Sequence, residues 1–126
     1  MGIFKREASG QSTVEFALCS LVFLMIVFGT IDFGRAIFTQ AQLANAVREG
    51  ARYAKVHPTA LSTASSTVTT KGPGGTTVTV MSCSPSPCAT GSTVTVTATV
   101  GFSAFTQKLL GIGPITLSST SKVGVE

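Results

Sequence analysis

Few residues in this chain have the type and spacing to do chemistry. Glu15 and Asp32 bracket the uncharged run FALCSLVFLMIVFGTI, residues 16–31. On one helix they would lie about 25 Å apart, too far to act as a catalytic pair. His57 is the one histidine, and Asp32 the one aspartate. The many Ser and Thr have no visible His or acid partner, so a hydroxyl nucleophile has nothing to activate it. His57 precedes Pro58 and reads as a solvated residue at a helix end. KGPGG, residues 71–75, lacks the strand and helix that a phosphate loop needs. No catalytic residue and no cofactor is expected.

Cys83 and Cys88 bracket a tight loop, CSPSPC. Zinc needs about four ligands, and His57 is far away in sequence, so no metal site is expected. A local disulfide is the favoured reading over two free thiols, and it implies an oxidising compartment. Cys19 lies in the apolar run, where it is expected to be a small buried hydrophobe.

The elements that must position these residues follow from the composition. The chain has 126 residues, enough for one small domain, with nine Lys and Arg against five Asp and Glu. The basic residues are spread out with no interleaved aromatic tract, so nucleic-acid binding is not expected. Residues 14–31 are near the lower limit for a helix that crosses a bilayer. Beyond Asp32, Phe33, Ile37, Ala44, Val47, Ala51 and Ala54 recur at three- and four-residue steps. The pattern ends at His57-Pro58. One helix from Val14 to Val56 would be about 64 Å long. Its first part would sit in lipid and its second would be an amphipathic extension.

From Thr59 the chain alternates Thr with Val and is punctuated by Gly and Pro, a hairpin pattern. Strands are expected near Thr67–Thr70, Thr76–Met81, Thr93–Val100, Thr116–Ser119 and Lys122–Val125. The connection from Phe102 to Pro114, with Phe105, Leu109, Leu110 and Ile112, is expected to cover one face of the sheet. Such a thin sheet needs a partner, and the amphipathic half of the helix is the natural one. The fold class is therefore α+β: a long N-terminal helix, transmembrane and then amphipathic, packed on a small, mostly antiparallel sheet in a bitopic membrane protein. The expected divisions are a short basic segment at 1–10, a membrane helix at 11–31, a helical extension at 32–57 and an extracytoplasmic β domain at 58–126.

Glu15 admits three readings. A secretory signal peptide would use Lys5 and Arg6 as its basic end, but no small-x-small cleavage site follows the apolar core. A plain anchor would place Glu15 near the helix start, where the dipole favours an acid. The third reading rests on order: a basic leader, Gly10, four residues, then Glu15 and Phe16 opening an apolar helix. That order resembles the type IV prepilin motif, which makes residues 1–10 a prepilin-like leader and implies cleavage after Gly10 by a membrane aspartic peptidase and a mature start at Gln11. Many type IV pilins carry an aromatic or Met at that first position. A carboxylate at a helix centre costs about 2.5–3.5 kcal/mol on insertion scales, less near the ends. The new α-amino group of a neighbouring Gln11 would offset that cost, and Glu15 would set the axial register.

The following chain sharpens the match. Glu15-Phe16, Phe28-Gly29, Asp32-Phe33-Gly34-Arg35 and Arg48-Glu49-Gly50-Ala51-Arg52-Tyr53 resemble the TadE-like family of tight-adherence pilus biogenesis proteins. The resemblance covers residues 10–54 and is weaker over the β-rich remainder. It implies a minor pilin or pseudopilin with no catalysis of its own. Its implied partners are other pilins, the inner-membrane assembly platform, a prepilin peptidase and the lipid bilayer. It also implies a cytoplasmic N-terminus and an exported C-terminal domain, where the charges flanking the apolar run are nearly neutral on topology. The alternative from another class is an uncleaved, membrane-anchored binding module that never enters a fibre. Asp32 and Arg35 are three apart on one helix face and are expected to form an exposed pair at the membrane exit. Arg48, Glu49 and Arg52 read either as a solvated face or as contacts for partner subunits.

Overall fold

The computed structural model describes residues 7–126. Its elements are α1 (Glu7–Val56), α2 (Leu61–Lys71), β1 (Thr77–Ser84), β2 (Thr93–Phe102), α3 (Phe105–Leu110) and β3 (Ile115–Gly124). The long helix, the amphipathic extension and the antiparallel sheet are those the sequence implies, so the fold is α+β. Residues 1–6, most of the expected leader, lie outside the described residues. The described residues ahead of Val14, from Glu7 on, are helical, so Gly10 and Gln11 lie within α1.

The sheet is a three-stranded antiparallel meander in the order β1-β2-β3. Its centre is β2, where Val94, Val96, Ala98, Val100 and Phe102 are buried. The intervening Thr93, Thr95, Thr97 and Thr99 are exposed or half-buried. This period of two sets the register, because a one-residue slip would send every valine to the wrong face. The β1 register shifts between Val78 and Val80, a bulge in the edge strand.

The second half of α1 lies across the buried face of this sheet. Leu43, Ala46, Val47, Ala51 and Ala54 supply its core side, and Leu43, Val47, Val94 and Val96 are fully buried. Each such Val or Leu contributes roughly 1.5–3 kcal/mol relative to exposure in water. α1 and β3 run in the same direction. The Gln40 side-chain amide donates to the Ser118 carbonyl at 2.9 Å, and Lys55 pairs with Glu126 at the far end.

Two sequence expectations for the β region are corrected. Five strands become three. Thr67–Thr70 belongs to α2, whose Ala64 and Val68 are buried against α1. The stretches 116–119 and 122–124 fall in one strand, because 120 and 121 also pair across to β2, and Val125 lies just beyond it. There the hydroxyls of Thr97 and Thr120 hydrogen-bond at 2.9 Å. The 102–114 connection is corrected too. It contains α3, and Phe105, Leu109, Leu110 and Ile112 are exposed beside α1 instead of covering the sheet.

The end of the sheet far from the apolar helix is closed by the loop 84–92. Cys83 and Cys88 are joined by a disulfide, with Cα atoms 5.6 Å apart. Ser92 is buried there; its hydroxyl donates to the Pro85 carbonyl and accepts from the Ala89 amide. Its backbone carbonyl accepts the Val125 amide at 2.8 Å, which ties the loop to the end of β3.

Candidate assembly site on the membrane helix

The lower part of α1 mixes Ala, Leu and Met, which favour a helix, with Val, Ile and Phe, which favour it less, and it offers no aqueous face. Every residue from Gly10 to Cys19 is exposed, Glu15 among them, and Cys19 is not buried as expected because nothing else in the chain packs on this part of α1. Phe16 is 74% exposed and Ile26 64%. A run of this kind, bare of the protein's own packing, requires another apolar environment. Helix α1 is long and apolar enough to cross a membrane, which is consistent with anchoring there.

Gly10, Gln11, Glu15 and Phe16 sit in the first turns of this helix. Gly29 and Gly34 have nothing within 4 Å of where a Cβ would stand. Both therefore leave room for a neighbouring helix to come close.

Asp32 ends the apolar run, and the expected exposed pair is only half correct. Arg35 Nη1 lies 3.5 Å from Asp32 Oδ1, but the Asp32 side chain is 7% exposed against 58% for Arg35. The carboxylate is buried because Thr106 covers it. Thr106 donates both its backbone N–H and its hydroxyl to Asp32 Oδ2, each at 2.8 Å. Asp32 thus caps the first turn of α3 from a distant part of the chain, where the N-cap residue Ala104 has no side-chain oxygen. The Gln107 side chain accepts the Ala104 N–H at 2.9 Å and completes the turn. The Arg35 guanidinium in turn lies over the Phe102 ring, 5.7 Å from its centroid. Thr106 is the residue that spacing alone misses. The local signal is only half of a capping box, Gln107 at the third helical position without a Ser or Thr at the N-cap.

The remaining candidates are not brought to this site. Cys83 and Cys88 lie at the opposite end of the sheet, and His57 stacks on Tyr53 at the end of α1. Glu49 pairs with Lys71 of α2 at 3.1 Å, while Arg48 and Arg52 are exposed. Among the described residues, no group of three His, Cys, Asp or Glu converges as metal ligands.

Fold and site together define an α+β protein carried on a single apolar helix, whose bare face is built for lipid or for other helices. Residues 10–52 match the family model described as TadE-like protein, so this segment of the chain is similar to that family. The family is pilin-like, is associated with tight-adherence pilus assembly and is not known for enzymes. The match covers the first apolar stretch and most of the extension, and leaves the sheet outside it. Neither the curated proteins nor the solved structures compared contain a match to this chain.

Proposed function

We propose that this protein is a minor pilin or pseudopilin that takes part in assembling a tight-adherence pilus through helix-to-helix packing. The observation that carries the reading is the bare apolar face of α1 from Val14 to Ile31, interrupted at its start by one acid, Glu15, inside the family segment. In this reading the prepilin peptidase cuts after Gly10, and Gln11 becomes the new N-terminus. Its α-amino group pairs with Glu15 of a neighbouring subunit and fixes the axial register. The N-terminus is cytoplasmic and the sheet domain is exported, where Cys83 and Cys88 oxidise. The subunit makes its contacts with other pilins and the inner-membrane platform.

The helical conformation at Gly10 bears on cleavage. A peptidase needs its substrate backbone extended, so the first turns of α1 have to unwind. Gly, Ser and Thr at positions 10, 12 and 13 keep the cost of that unwinding low. The test is the intact mass and N-terminal sequence of the membrane-extracted protein, in cells with and without their prepilin peptidase. A start at Gln11 that disappears without the peptidase is expected. A chain that retains residues 1–10 in both strains removes the processed-pilin mechanism and leaves an anchored binding module.

A further inference from the structure

The exposed apolar residues do not end with α1. Phe105, Leu109 and Leu110 of α3, with Ile112 and Ile115 just beyond it, are all more than half exposed. They form one patch at the end of the sheet where α1 leaves its apolar run. The buried side of α3 is polar: Gln107 is buried and Thr106 is bound to Asp32. This orientation is the reverse of what a soluble domain gains from, because it turns the large apolar side chains outward.

The position of the patch relative to α1 is fixed. The Phe105 ring lies 5.4 Å from the Phe28 ring. Phe28 is one turn, about 6 Å, to the lipid side of Asp32. Phe105 is therefore level with the last turn of the candidate span. Around the same corner, a cleft of about 390 Å³ is lined by Arg35 and Lys108 together with Ser103, Phe105, Ile112 and Pro114. The two charged residues that line it are both cationic, and the neighbouring Asp32 carboxylate is covered by Thr106.

We propose that this patch is a second membrane contact: α3 and the 111–115 turn seat in the bilayer interface beside α1, with Arg35 and Lys108 at the phosphate level. The inference rests on reading α1 as a membrane helix. Continuity with the span supplies the depth. The apolar outer face supplies the affinity, as for interfacial helices whose apolar side sinks about 5–10 Å into the headgroup and acyl boundary. The two cations suit an anionic lipid surface and snorkel to it on apolar stems. α3 is too short to hold a helix alone, and the Asp32 cap supplies the missing support. The sheet domain then rests on the membrane at a defined depth and rotation. Its removal into a fibre has to lift this patch out of lipid together with α1.

The chain contains no tryptophan, so single-Trp variants of the full chain report cleanly. Leu109→Trp is compared with Val22→Trp in the span and Thr90→Trp at the far end of the sheet. The variants are reconstituted in phosphatidylcholine–phosphatidylglycerol vesicles carrying brominated acyl chains. Leu109→Trp is expected to lose emission most with bromine near the headgroup, Val22→Trp with deep bromine, and Thr90→Trp with neither. Leu110→Trp repeats the measurement in case the first variant disturbs α3. If Val22→Trp is quenched while both α3 variants are not, and they stay as open to aqueous acrylamide as Thr90→Trp, the inference is overturned and the anchor stands. If the α3 variants are shielded from acrylamide yet unquenched by lipid, a second copy or another protein covers the patch, and the inference is again overturned. If Val22→Trp is also unquenched, both readings fall.

Discussion

Asp32 illustrates how one residue can belong to two scales of the molecule. Its spacing from Arg35 is legible in the sequence, and the exposed i,i+3 pair expected from it would be worth only a few tenths of a kcal/mol. Its larger role, accepting two hydrogen bonds from Thr106, joins positions 74 residues apart and leaves no trace in local spacing. Both carboxylate oxygens are engaged, Oδ2 by Thr106 and Oδ1 by Arg35. Asp32→Ala is expected to free α3 from α1, with faster hydrogen exchange at the Thr106 amide and little change at the Val96 amide in the sheet core. Asp32→Asn keeps one carbonyl acceptor and is expected to fall between Ala and the native residue. An unchanged Thr106 rate in Asp32→Ala would mean that α3 is held by its apolar contact with Phe28 alone.

At the scale of elements, the parts legible in the sequence are those in which local pattern and tertiary packing agree. The α1 extension shows a 3.6-residue period and β2 a period of two, and both elements form where the pattern puts them. α2 is the instructive miss. LSTASSTVTTK is rich in residues that favour strands, yet Leu61, Ala64 and Val68 also have helical spacing. Packing decides between the two. α2 lies so close to α1 that a Cβ on Gly50 would collide with the Val68 side chain and come within 3.2 Å of the Ala64 carbonyl oxygen. A glycine in mid-helix costs α1 about 1 kcal/mol, and the close crossing is what that cost supports. Gly50→Ala should therefore destabilise the sheet domain by about 1–3 kcal/mol through overpacking. The lone Tyr53, packed against the core, reports the denaturant midpoint in mild detergent. Val68→Ala removes the colliding methyls, so the double variant should recover part of the loss, a coupling that independent sites would not show. Strict additivity would show that α2 does not pack on Gly50.

At the scale of the whole molecule, the proposed role gives α1 two separable tasks along one helix. Its C-terminal half is the main support of the sheet, with Leu43 to Ala54 in the core. Its N-terminal part, including Glu15, is mostly exposed and contributes no buried side chain from Gly10 to Ile31. Stability and assembly should therefore respond to different substitutions. Glu15→Ala is expected to leave the Tyr53-reported midpoint of the domain within about 0.5 kcal/mol of the native chain, the range for surface changes away from the core. In cells it is expected to abolish recovery of the protein with sheared pili while leaving its level in the membrane intact. Gly50→Ala should do the opposite, lowering the amount of folded protein while leaving the helix face used in assembly unaltered. Glu15→Gln distinguishes charge from shape: if register depends on pairing with a neighbour's α-amino group, Gln should fail as Ala does. Normal pilus recovery with Gln would show that Glu15 acts by size and hydrogen bonding at the helix start, and would remove the charge-pairing mechanism while leaving the helix-packing role in place.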